Sequence, residues 1–289
     1  MKRLLSLFLL LTILLGGCGS PAPAQIAATT LPAYEFTVRI CEGSGLTVSR
    51  LITESVSCLH DYSLNVSQVK AAESADHIVI SGAGLEEFME DLLQDKSVID
   101  ASNGISLLEC DHEHNHEQEH GHHHETDSHI WLSPENAKLM ASNICRGLCN
   151  AYPEYAYIFS ANLAELENDL TALQIYGEQT LSNLSAYDMI TFHDGFGYFA
   201  DAFGLHILEA VEEESGSEAS AQELKHLIGL VQEYDLPALF TEINGSCSAA
   251  EVIARETGAA TYSLDMAMSG DSYFTAMYHN INTIKEAME

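Results

Sequence analysis

Positive charge is scarce in this chain. Eleven lysines and arginines stand against 43 aspartates and glutamates in 289 residues, a formal net charge of −32. So acidic a surface repels a phosphate backbone and excludes nucleic acid as a partner. The same charge keeps a protein soluble and concentrates cations around it. Past the first 18 residues there is no apolar run long enough for a transmembrane helix. No helix carries the His-Glu-x-x-His motif of a zinc hydrolase. His112-Glu113-His114-Asn115-His116 resembles the alternating-His zinc motif of metallo-hydrolases only superficially, because that motif needs a rigid strand end and this segment is low in complexity. Proline is absent from 154 to 184, where only one glycine occurs. That stretch is predicted as a single long helix, with Leu163, Leu166, Leu170 and Leu173 at helical spacing.

The start of the chain has its own signature. Lys2 and Arg3 precede an apolar run over 4–15, and Leu15-Gly16-Gly17-Cys18 ends it. This is the pattern of a lipoprotein signal, 1–18, cut before Cys18, which then carries acyl chains and anchors the protein to a lipid membrane. Residues 19–25 read as a tether. The expected location is the extracytoplasmic side of the cell envelope. Six further cysteines (Cys41, Cys58, Cys110, Cys145, Cys149, Cys247) allow 15 pairings, among which sequence does not choose. Cys145 and Cys149, four apart on an expected helix, read either as a metal clip or as two small buried residues, the second being preferred.

Strand and helix patterns alternate on both sides of the long helix. Strands are expected at 26–30, 47–52, 77–81 and 97–100, and again at 188–192, 206–211, 237–241 and 260–264. Helices are expected at 85–93, 134–152, 221–234, 246–257 and 272–288. Alternation of this kind implies mainly parallel sheets. The expected fold is therefore α/β, with one lobe at 26–150, a linking helix at 153–185 and a second lobe at 186–289.

Three features point to a metal. Residues 111–124 hold seven of the 14 histidines, namely His112, His114, His116, His120, His122, His123 and His124, mixed with acids. With nothing apolar to bury, this segment reads as a solvated loop of weak auxiliary ligands. His193 and Asp265 directly follow expected strands, and His60 lies in a loop after another. In open parallel sheets, ligands bind beyond the carboxyl ends of strands.

The third feature is a set of spaced motifs. Leu59-His60-Asp61-Tyr62, the block from Ala75 to Glu86 ending Gly82-Ala83-Gly84-Leu85-Glu86, Asp127-Ser128-His129-Ile130-Trp131-Leu132-Ser133-Pro134, His193-Asp194-Gly195-Phe196-Gly197-Tyr198-Phe199, Leu239-Phe240-Thr241-Glu242 and Ser263-Leu264-Asp265 occur in this order. Together they resemble the zinc/manganese class of ABC-transporter solute-binding lipoproteins over nearly the whole chain after the tether. The resemblance implies two lobes bridged by a rigid helix, with one metal in the cleft between them. It implies His60, His129, His193 and Asp265 as ligands, and Glu242 as a nearby carboxylate or alternative ligand. It also implies an ABC permease as partner, a monomer and no catalysis. His193 stands where manganese-selective relatives often have Glu, which favours Zn2+ over manganese. Leu59, Ser128 and Met266 replace prolines common in the family, which bears on loop stiffness. The alternatives are a manganese importer subunit, an adhesin of the same fold, and an envelope zinc hydrolase, which would need an open coordination position. Imidazoles bind metal only when neutral, so affinity is expected to fall as pH drops through roughly 6.5.

Overall fold

The computed structural model describes residues 24–56, 59, 62–109, 126–211 and 219–289. The leader with Cys18, residues 19–23 of the expected tether, Cys58, His60, Cys110 and the His-rich segment lie outside the described residues, whereas Gln25 already belongs to the fold, its Oε1 accepting from the Thr47 N–H.

The first lobe runs β1 (Ile26–Ala28), α1 (Leu31–Cys41), β2 (Val48–Arg50), α2 (Val66–Ser74), β3 (His77–Ile80), α3 (Glu90–Leu93), β4 (Ser97–Asp100) and α4 (Pro134–Ala151). After a 3-10 turn at Pro153–Tyr155 comes α5 (Ala156–Thr180). The second lobe runs β5 (Asp188–Thr191), α6 (Gly197–Phe203), β6 (His206–Ala210), α7 (Ala221–Glu233), β7 (Ala238–Glu242), α8 (Ser248–Thr257), β8 (Ala260–Leu264) and α9 (Tyr273–Met288). Each lobe holds a four-stranded sheet. The orders are β2-β1-β3-β4 and β6-β5-β7-β8, and every described pairing is parallel. The two lobes thus repeat one winding without repeating a sequence. Among the described residues, no helix is long and apolar enough to cross a membrane.

Helix α5 has 25 residues and is about 37 Å long at 1.5 Å per residue. It buries Phe159, Leu166, Leu170, Leu173 and Gly177, a stripe that packs on α1 and α4 of one lobe and on α6 and α9 of the other. At Gly177 an added Cβ would overlap the Phe203 ring, so glycine lets α6 lie directly on the long helix.

One apolar core runs through both lobes. Trp131 sits at its centre, fully buried. Its indole Nε1 donates to the Met266 carbonyl at 2.7 Å, and the Tyr273 hydroxyl donates to the Trp131 carbonyl at 2.8 Å. From α1, the Glu35 carboxylate accepts from the Tyr273 backbone N–H at 2.6 Å and from the Ser272 hydroxyl at 3.3 Å, at the start of α9. A smaller core in the second lobe lies between its sheet and helices α7 and α8.

Two segments differ from the sequence reading. The helix expected over 85–93 is a 3-10 turn, Glu87–Met89, followed by the single turn of α3. The cause lies just before it. Gly82, Ala83 and Gly84 all have positive φ, and a Cβ at Gly82 would overlap Asp100 and Ser102. The chain folds back so that the Glu86 carboxylate accepts from the Thr29 hydroxyl (2.6 Å) and from the backbone N–H groups of Ser81 (2.8 Å) and Gly82 (3.0 Å). The second difference is α6, a seven-residue helix closed by Gly204, for which the alternating pattern implied a helix but set no bounds.

Burial pushes the Glu86 carboxyl up to about 7, against the pull of its three donors. The folded chain therefore keeps this proton to about pH 7, whereas an unfolded glutamate loses it near 4.5. Folding becomes less favourable through this group as pH rises across that window, by roughly 3 kcal/mol at most. Glu86→Gln removes the titration, so the variant gains stability relative to the native chain between pH 4.5 and 7. At low pH it is the less stable of the two, because its amide cannot accept from Gly82. Urea unfolding at stepped pH checks this; a difference independent of pH would mean that Glu86 is ionised throughout.

Candidate metal centre

The cleft-facing loops bring side chains from both lobes together. His129 comes from the segment that leads into α4. It precedes a 3-10 turn, Ile130–Leu132, and Ser133 and Pro134 then start the helix. Its imidazole is 3% exposed and is held by a neighbour two residues back. Asp127 Oδ1 accepts from both the His129 backbone N–H and its Nδ1, each at 2.8 Å. With a carboxylate on Nδ1, that nitrogen carries the proton, and Nε2 is left as the lone-pair donor. Asp127 is itself pinned from the second lobe: the Tyr198 hydroxyl of α6 donates to its carbonyl at 3.0 Å and accepts from the Leu108 N–H at 2.9 Å.

His193 follows β5 and meets His129 edge-on, with ring centroids 5.2 Å apart at 85°. Its Nδ1 lies 3.6 Å from Glu242 Oε2, a buried carboxylate at the end of β7. Each imidazole thus has a buried carboxylate on its Nδ1 side, hydrogen-bonded in the case of His129 and Asp127 and at ion-pair distance in the case of His193 and Glu242. Gly195 makes the approach possible. A Cβ there would fall 2.7 Å from His129 Nδ1 and 2.6 Å from Met266 Cε.

Asp265 follows β8. Its backbone is clamped by Asn280 of α9, whose Oδ1 accepts from the Asp265 N–H and whose Nδ2 donates to the Asp265 carbonyl, both at 2.7 Å. Its carboxylate accepts from the Ala267 N–H at 2.8 Å. Burial raises its pKa, the Ala267 bond and His279 opposing that shift. A carboxylate so short of water gains from a nearby cation.

Of the residues predicted from sequence, His129, His193 and Glu242 are brought together, and Asp265 lies one residue from Met266, which touches the same glycine. Among the described residues, no three His, Cys, Asp or Glu side chains are close enough to hold a metal by themselves. His60, the seven loop histidines and Cys18 lie outside the described residues. Sequence reasoning did not assign roles to Asp127, Gly195, Tyr198 or Asn280. For Asp127 the signal was present, a carboxylate two residues before a histidine. For the others it lay only in the tertiary contacts.

The donor set, imidazoles with buried carboxylate partners, is one that suits zinc. Comparison with known proteins agrees in direction. The zinc-binding protein AdcA of Streptococcus pyogenes serotype M3 is 30% identical over 293 residues, which cover 90% of this chain and 55% of that protein. This chain thus spans about half the length of that relative. The crystal structure of ZnuA superposes with a TM-score of 0.79 at 29% identity, covering 92% of this chain and all of that one. A zinc-bound deletion mutant of ZnuA gives 0.78 at 28% identity, covering 92% of this chain and 98% of that one. The sequence profile of the family described as zinc-uptake complex component A, periplasmic, matches residues 26–287, and the chain belongs to that family.

Proposed function

We propose that this chain captures Zn2+ outside the cytoplasm and hands it to the membrane permease of an ABC importer. The observation that carries this reading is the meeting of two imidazoles, one from each lobe, with His129 hydrogen-bonded to the buried Asp127 and His193 within 3.6 Å of the buried Glu242. His129, His193 and Asp265 are the proposed ligands, with His60 as the fourth. Glu242 then orients His193 in the way Asp127 orients His129, and its role as an alternative ligand becomes secondary. Four protein ligands fill a tetrahedral shell, whereas a catalytic zinc keeps a position open for water. Capture without catalysis follows. Two or more imidazoles favour zinc over manganese, which prefers oxygen donors. Cys18 is the proposed lipid anchor, 111–124 a weak accessory binder, and the protein a monomer.

Delivery needs the site to open. The cleft is fastened by buried hydrogen bonds between the lobes, so the proposed release is a shift of the ligand loops, not a wide swing of the lobes about α5.

Calorimetric titration of metal-free protein lacking 111–124 tests the assignment. One tight zinc site is expected, lost in His193→Ala, with manganese far weaker. If no tight site remained once the loop was gone, the cleft would not be the binder and the importer reading would fail. Asp127→Asn keeps the size of the side chain but removes its charge, and should weaken zinc by about 10–100-fold. An unchanged affinity would reduce Asp127 to a packing residue. Gly195→Ala forces a methyl group against His129 and Met266. It should lower zinc affinity by a similar factor while leaving the melting temperature of the metal-free protein within a few degrees; loss of folding instead would show that Gly195 serves the core and not the site.

A further inference from the structure

The cysteines of the first lobe are not used by the zinc reading. Cys145 and Cys149 lie on successive turns of α4 with their sulfurs 3.9 Å apart. Cys41, the last residue of α1, is near enough to Cys145 to influence its titration. Cys41 and Cys145 are buried, and Cys149 is half-buried and opens to solvent. Helix α4 starts at the cleft, five residues after His129. At 1.5 Å per residue, the two sulfurs sit about 16–22 Å further along it, at the end remote from the zinc loops.

The helix decides what this pair can do. A disulfide needs Cβ atoms about 3.8 Å apart. Residues four apart on a helix hold theirs at roughly 5–6 Å. Cys145 and Cys149 are therefore kept as a dithiol even where the surroundings are oxidising. Their sulfurs do suit a bridging ion. Two metal–sulfur bonds of about 2.3 Å span roughly 3.8 Å at a tetrahedral angle and 4.6 Å when linear. Among the described residues no third ligand completes a metal-holding group, which disfavours zinc and its four ligands. Two sulfurs are enough for soft monovalent ions, which thiolates select.

We propose that Cys145 and Cys149 form a two-sulfur clip for a soft monovalent cation, copper(I) or silver(I), separate from the zinc cleft. Binding replaces two S–H bonds with two metal–sulfur bonds and releases two protons to solvent; no electron is transferred. Burial pushes the Cys145 thiol up to about 12, so that sulfur keeps its proton until such an ion displaces it. Zinc, offered neutral imidazoles in the cleft, has no reason to compete for it.

The probe is phenylarsine oxide, a trivalent arsenical that closes only on paired thiols. It is applied to the reduced full-length chain in which Cys18, Cys58, Cys110 and Cys247 are serine. One adduct per chain is expected by intact mass. Trypsin cleaves after Arg146, between the two cysteines, so a bridging arsenic should hold the two flanking peptides together. One equivalent of silver(I) should block the adduct, and one equivalent of zinc should not. Cys149→Ala, at a helix position that favours alanine, should lose the adduct and keep the native circular dichroism and zinc titration. The proposal is overturned if no adduct forms, if the adduct survives in Cys149→Ala (Cys145 then pairing with Cys41), or if zinc protects as well as silver does.

Discussion

The bond from the Trp131 indole to the Met266 carbonyl is the constraint on which the rest of this structure depends. Trp131 stands two residues after His129, and Met266 one residue after Asp265. A single buried hydrogen bond therefore ties the loop of His129 in one lobe to the loop of Asp265 in the other. Tyr273 secures the same seam from α9 by donating to the Trp131 carbonyl. Separating the lobes would leave these buried donors and acceptors unpaired, at about 1–3 kcal/mol each. The spacing of the His129 and Asp265 loops is thus set by the core, not by the flexibility of the loops. Helix α5 keeps the far sides of both lobes at a fixed spacing, and the tryptophan seam closes the near side.

Charge enters at two scales. The net charge of −32 gathers cations of every kind around the protein and distinguishes none of them. Under the proposed zinc reading, selection belongs to the buried side chains. Asp127 accepts from His129 Nδ1 and so leaves Nε2 of that ring without a proton to be expelled. Glu242 lies at ion-pair distance from His193 and adds negative charge to the same place.

Much of this was legible in the sequence because it is local. The β-branched run His-Ile-Val-Ile at 77–80, the proline-free stretch that became α5, and the polar residues immediately after β5 and β8 all carry their meaning within a few positions. The expected strands at 97–100 and 260–264 match the structure, and the others miss one or both ends by one or two residues, which is fraying and not a change of register. What was not legible depends on contacts far apart in the chain. The helix expected over 85–93 is broken because the Glu86 side chain is claimed by Thr29, 57 residues earlier. The α6 helix has no amphipathic pattern of its own length; it exists because Tyr198 is held on the Asp127 loop and Phe203 on Gly177. Gly195 looks like any loop glycine until His129 and Met266 are placed against it. The motifs named the ligand candidates, but the pairing of each imidazole with a carboxylate required the fold.

Helix α4 then joins two different kinds of metal chemistry. Its first turn is anchored beside His129, where an ion at the proposed zinc site would meet an imidazole Nε2 whose ring proton is held on Nδ1 by Asp127. Its last turns carry the Cys145 thiol, whose proton burial holds tightly, with the Cys149 sulfur beside it. An ion binding at the first end gains ligand bonds at once; an ion binding at the second must first displace hydrogen from sulfur. Zinc, borderline in softness, is better served at the first end, and only ions with a strong preference for sulfur recover that cost at the second. The separation follows from ligand protonation and burial alone, and it holds whichever loops the lobes use to take up or release the cargo. A helix that is merely structural in its middle thus sorts cations by what each of its ends demands of them.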